Sequence, residues 1–218
     1  MFRDRIDAAE QLAQALAAWR GQDPLVLAIP RGAVPMGAVI AQQLAGDLDL
    51  VLVRKLHAPG APEVAVGAID EAGWVYVAPH AAAMRATPAY LDTQVQEQLQ
   101  ELARRRALYT PNRPAMAAAG RVVIVVDDGL ATGATMIAAL HALRQRAPAR
   151  LVCAVPVASA QAVALVKAHA DEVVCLQVPR GFRAVGQFYA AFPQLEDEEV
   201  IAALRGAAQS VDPGSGRG

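Results

Sequence analysis

Two adjacent carboxylates, Asp127 and Asp128, stand at the end of the apolar run Val122 to Val126 and are followed by Gly129, Ala131, Thr132, Gly133, Ala134 and Thr135. Ionised carboxylates only accept hydrogen bonds, which suits the vicinal hydroxyls of a sugar. The glycines and small residues make a short loop, to which Thr132 and Thr135 add hydroxyl donors. Met136, Leu140 and Leu143 then recur at helical spacing, so the loop sits where a helix begins. Backbone N–H groups there lack partners inside the helix, and the helix dipole favours an anion. A phosphate held beside a diol describes a ribose 5-phosphate.

The element that must hold these residues is a strand. Val122 to Val126 is an unbroken apolar, mostly β-branched run, the pattern of a strand buried on both faces of a parallel sheet. Other chemistries at such a strand end lack their motifs. The Mg²⁺ site of a P-loop enzyme requires G-x-x-x-x-G-K-[ST], which does not occur. The G-x-G spacings, all within Gly214 to Gly218, lie in the tail and follow no strand-like run, which excludes a dinucleotide fingerprint. A receiver-like acid pair would follow the first strand, not one past the middle of the chain.

Further charged residues occupy comparable positions. Leu25 to Ile29 reads as a first strand, and Pro30-Arg31-Gly32 follows it directly before a helix through Leu44. That order makes a second potential anion cradle with Arg31 as a cationic fork; the competing reading is an exposed Arg after a strand. Asp49 to Val53 reads as another buried strand, ending in Arg54-Lys55. The Pro- and Gly-rich stretch from Leu56 to Glu63 is expected to be a mobile loop without regular structure. His57, alone in that loop, is more economically a bystander than a catalyst. Glu63 to Ile69 and Trp74 to Val77 flank a turn and predict a hairpin. Pro88 to Tyr109 predicts a long helix, on which Arg104, Arg105 and Arg106 are expected to form a solvated face or a subunit contact. Phe182 or Tyr189 could roof a planar base, although aromatic clusters more often belong to a core.

The segment from Arg121 to Thr135, hydrophobic strand, two acids, two variable residues and a small residue before Thr-Gly-x-Thr, resembles the phosphoribosyl pyrophosphate (PRPP) motif of type I phosphoribosyltransferases. The Pro30-Arg31-Gly32 turn is similar to the pyrophosphate loop of that family. Arg54-Lys55 with the stretch after it resembles the basic pair and lid of its adenine and orotate members. The resemblance implies transfer of the 5-phosphoribosyl group of PRPP to a nitrogen acceptor, a nucleobase by analogy, with release of pyrophosphate and dependence on Mg²⁺. It assigns Ala131, Thr132, Gly133, Ala134 and Thr135 to the 5′-phosphate, and Asp127 and Asp128 to the diol and the metal. Arg31, Gly32, Arg54 and Lys55 fall to pyrophosphate and Phe182 to the base. A homodimer is also implied. Ala131 departs from 6-oxopurine enzymes, which carry Asp there, and agrees with adenine and orotate enzymes, whereas the Arg31 loop and the tail lean the other way. A non-catalytic sensor of PRPP or a nucleotide is the alternative.

The 218 residues suffice for one α/β domain with a full core. Strands alternating with helices predict a parallel sheet with helices on both faces over residues 1–209, and the resemblance implies a flexible lid or hairpin and a small C-terminal hood. Residues 210–218, rich in Gly and Ser, are expected to be a disordered tail. A formal net charge of −1 offers no excess to neutralise a nucleic-acid backbone. No run of eighteen apolar residues appears, and the charged N-terminus lacks the apolar core of a signal peptide, so a cytoplasmic location is expected. Cys153 and Cys175, in separate apolar runs, are expected to be reduced and buried.

Overall fold

The structure, a computed structural model, describes residues 1–111 and 113–210. Its centre is a five-stranded sheet made of β1 (Leu25–Ala28), β2 (Asp47–Leu50), β6 (Val122–Val126), β7 (Arg150–Val157) and β8 (Glu172–Gln177). The spatial order is β2-β1-β6-β7-β8, and every neighbouring pair is parallel. The central strand is therefore β6, whose Val123 to Val126 are all fully buried.

Alternation along each strand divides the core into two layers. Val26, Ile124, Val126 and Val152 face one side, where they pack with α1 (Arg5–Ala15), α2 (Val34–Leu44) and α6 (Asp197–Ser210). Leu25, Val123, Val125 and Cys153 face the other, against α4 (Ala134–Arg144) and α5 (Ala160–Val166). α5 is capped by Ser159, whose hydroxyl accepts from the Ala162 amide at 3.0 Å. Both cysteines are free thiols, Cys153 buried and Cys175 half-buried. Among the described residues no helix is long and apolar enough to cross a membrane.

Two expectations are corrected in the segment after β2. The strand read over Asp49 to Val53 ends at Leu50, because its partner β1 ends at Ala28, the residue paired with Leu50. Val53 instead opens a second sheet, antiparallel and three-stranded, of β3 (Val53–Ala58), β4 (Ala61–Asp70) and β5 (Val75–Val77). The stretch from Leu56 to Glu63 is thus part of a hairpin, not an irregular loop. Pro59 and Gly60 occupy its tip, where Gly60 takes φ +71°, a value open to glycine at little cost. Register shifts next to His57 let β4 accommodate Pro62 close to that turn.

The base of the hairpin is fastened by charge. α3 (Pro88–Tyr109) has the bounds its sequence predicts, yet Arg106 is not on a solvated face. Its Nε and Nη2 donate to Glu71 at 2.7 and 2.6 Å, in the turn between β4 and β5, and its Nη1 donates to the fully buried Asp49 of β2 at 2.9 Å. Arg104 and Arg105 do behave as expected, pairing with Glu101 on their own helix. The tail expected over residues 210–218 lies outside the described residues, apart from Ser210, which ends α6.

Candidate active site

The carboxyl end of β6 delivers Asp127 and Asp128, and the chain then bridges to the end of β7 through Leu130 and Ala158. The loop after it turns at Gly133, whose φ of +76° caps α4. Ser159, capping the neighbouring α5, donates from its hydroxyl to the Ala131 carbonyl at 2.8 Å and fixes the loop from below. The loop encloses a cavity of about 190 Å³ lined by Asp127, Gly129 to Met136, Lys55 of β3 and Val185. A second cavity of about 230 Å³, lined by Val53, Arg54, Lys55, His57 and Thr135, shares Lys55 and Thr135 with the first. Lys55 therefore lines both cavities, sharing the first with Asp127 and the start of α4 at the end of β6, where open α/β sheets bind ligands.

The two acids have different surroundings. Asp127 lines the cavity, and its Oδ1 accepts from the Asp128 amide at 2.9 Å. Burial, and next the neighbouring Asp128 charge, push its carboxyl well above the usual carboxylate range, against the pull of Arg5 and Lys55. Asp128 is turned towards α1. Arg5 places both Nε and Nη2 at 3.0 Å from its Oδ2, and this attraction opposes the upward shift that burial imposes. The Tyr189 hydroxyl donates to the Asp128 carbonyl at 2.7 Å.

The remaining residues singled out from the sequence are distributed around this cleft. Gly32 lies against the Asp128 carboxylate so closely that a Cβ would collide with it. The peptide between Pro30 and Arg31 is cis. The Arg31 guanidinium pairs with Glu196 at 3.2 Å and lies 3.9 Å from Asp197 at the start of α6. Arg54 lines the second cavity while its Nε donates to Gln98 of α3 at 2.9 Å. Phe182 stacks on Phe188 with centroids 5.5 Å apart, and the hood residue that reaches the first cavity is Val185. Tyr189 is buried between Phe2 and Phe192 and roofs nothing. Nδ1 of His57 is buried without a hydrogen-bond partner.

Sequence reasoning missed Arg5, Ser159 as the loop's support, Val185, and the inward role of Tyr189. Arg5 is 123 residues from Asp128 and lies on a helix whose apolar spacing is its only local signal. Cavity size alone would also mislead. A groove of about 650 Å³ lies between α2 and α6, but it is lined largely by Ala, Gly and Leu, and its Asp23 and Asp47 are paired with Arg121.

The chain matches the phosphoribosyl transferase domain over residues 3–192. It belongs to the phosphoribosyl transferase family. It is 44% identical over 207 residues to a Mycobacterium tuberculosis protein provisionally named a phosphoribosyl transferase. That alignment covers 94% of this chain and 46% of the relative, so the chain spans about half the length of the curated protein it matches. Among solved structures, TT1426 from Thermus thermophilus superposes with a TM-score of 0.84 at 47% identity, covering 93% of this chain and 97% of that one. The family domain ends before α6, so the helix whose first turn engages Arg31 lies beyond it.

Proposed function

We propose that the protein transfers the 5-phosphoribosyl group of PRPP to a nitrogen acceptor, a nucleobase being the first candidate, with release of pyrophosphate. The observation that carries this reading is the cavity at the end of β6, in which Asp127, Lys55 and the loop from Ala131 to Thr135 face one another in a chain of this family.

In this reading the amides of the loop and the hydroxyls of Thr132 and Thr135 hold the 5′-phosphate, and Asp127 accepts from the ribose hydroxyls. Lys55 neutralises the departing pyrophosphate, joined by Arg54 across the second cavity and by Arg31 once it leaves Glu196. Bond cleavage at the anomeric carbon develops positive charge on the ribose, which Asp127 would stabilise in its ionised form. The protein supplies position and field, with no covalent intermediate.

The donor set suits Mg²⁺ brought in by its substrate. Among the described residues no three His, Cys, Asp or Glu side chains gather into a metal cluster, and one oxygen of Asp128 is taken by Arg5. Asp127 would therefore contribute one oxygen to an ion held mainly by phosphates and water, the usual habit of Mg²⁺. When bound, the ion would neutralise charge on the pyrophosphate.

The test is release of pyrophosphate from PRPP with a panel of purines, pyrimidines and small amines. Turnover with any member supports a transferase. Saturable PRPP binding with no turnover across the panel would replace it by a sensor, and absence of PRPP binding would remove both.

A further inference from the structure

Two neighbouring carboxylates in one cleft repel each other, and only one of this pair faces the cavity. Asp127 lines it and Asp128 does not. Asp128 is occupied on three sides. Arg5 donates to its Oδ2 from two nitrogens at 3.0 Å, Tyr189 donates to its carbonyl, and Gly32 closes over the carboxylate with no room for a side chain. Arg5 is itself held. Its Nη1 donates to the Pro193 carbonyl at 2.7 Å, and its guanidinium lies 3.8 Å from the centroid of the Phe192 ring. Only 10% of the Arg5 side chain and 18% of that of Asp128 is exposed, so solvent screens the pair little. The planar fork of Arg5 delivers two donors to one oxygen, which a lysine could not do.

We propose that Arg5 is a positioning residue that withdraws Asp128 from the ligand, leaving Asp127 as the carboxylate that serves the ribose hydroxyls. The inference rests on the PRPP reading above and assigns unequal work to two acids that look equivalent in sequence. Without Arg5, Asp128 becomes an uncompensated anion beside Asp127, repels the incoming phosphates and is free to swing towards the cleft. The defect of an Arg5 variant should therefore disappear when the Asp128 charge is removed as well.

The experiment is PRPP binding by calorimetry in the presence of Mg²⁺, with folding of every variant checked by thermal melting. Asp127→Asn should weaken binding about 30-fold, the loss of a charge-assisted hydrogen bond, and Asp128→Asn by less than about 3-fold. Arg5→Met should weaken it about 10-fold. The double variant Arg5→Met/Asp128→Asn should return to within about 3-fold of the unaltered protein, whereas Arg5→Met/Asp127→Asn should show no recovery. Arg5→Lys, keeping the charge without the fork, should fall between Arg5→Met and the unaltered protein and serves if Arg5→Met does not fold. A purely structural role for Arg5 would make the losses accumulate in both doubles. Accumulating losses, or an Asp128→Asn defect as deep as that of Asp127→Asn, overturn the inference while PRPP binding by the unaltered protein stands. If the unaltered protein binds no PRPP, the functional reading fails and takes this inference with it.

Discussion

Replacing Arg106 with Met keeps the aliphatic stem and deletes a guanidinium that is 14% exposed and joins three elements. It donates to Glu71 twice, to Asp49, and from Nη2 to the Leu50 carbonyl at 3.0 Å. Burial weakens the charged form of Arg106, but its carboxylate partners outweigh that and its pKa is raised. Breaking a buried pair costs about 3–5 kcal/mol when the remaining charge has no other partner. Here Glu71 can turn to water, and Asp49 keeps Arg113 at 3.1 Å and the Leu50 and Met116 amides at 2.8 Å each. The loss should therefore sit at the lower end, about 3 kcal/mol, which in a chain of this length lowers the melting temperature by about 6–12 °C. Urea unfolding should show a midpoint shift of about 1.5 M for a slope of about 2 kcal/mol/M. Arg104→Met, removing a side chain that is 63% exposed and pairs with Glu101 on its own helix, should leave the melting temperature nearly unchanged. High salt should erase the small effect and leave the large one. Equal losses from the two variants would refute the claim that burial separates adjacent arginines of one run.

Other outcomes follow from the same geometry. Gly133→Ala puts a Cβ at φ +76° and 3.2 Å from Val166; it should cost about 1–2 kcal/mol of stability and weaken phosphate binding, as melting and calorimetry would show. Glu196 is 66% exposed, so Glu196→Gln should free Arg31 and tighten pyrophosphate binding by no more than about 5-fold, a gain that disappears in high salt. His141 lies against Trp74 and Tyr76, with its ring 4.3 Å from that of His169, and both histidines are pushed below their ordinary value of 6.5, His141 first by burial and then by His169. The folded state thus prefers them neutral. Their contribution is complete above pH 6.5 and is lost as the pH falls and the unfolded chain takes up protons first, so the urea midpoint should drop on acidification less steeply in His141→Gln. EDTA should abolish turnover without moving the melting temperature, because no described cluster of metal ligands supports the fold.

What the chain carried in plain view was local. The strand, acids, loop and helix from Val122 to Arg144 are contiguous, so their spacing and residue types already impose the buried strand, the turn at Gly133 and the amphipathic helix, and the structure has all three. The bounds of α3 were legible for the same reason, with Thr87 as cap and Pro88 in the first turn. Hydrophobicity could not say where β2 stops, because that depends on the length of β1 beside it. Composition marked Pro59 and Gly60 as a break, but whether such a break is a loop or the tip of a hairpin depends on the flanking strands finding each other. Nor does one arginine differ from its neighbour until a partner arrives, and Glu71 and Asp49 lie 35 and 57 residues from Arg106. The site divides along the same line. Its loop was written in consecutive residues, whereas the different positions of Asp127 and Asp128 were decided by an arginine 123 residues away, brought in by the packing of α1 on the sheet. Backbone preference and apolar periodicity act over a few residues, while a side chain's electrostatic partner is chosen only when the whole core closes.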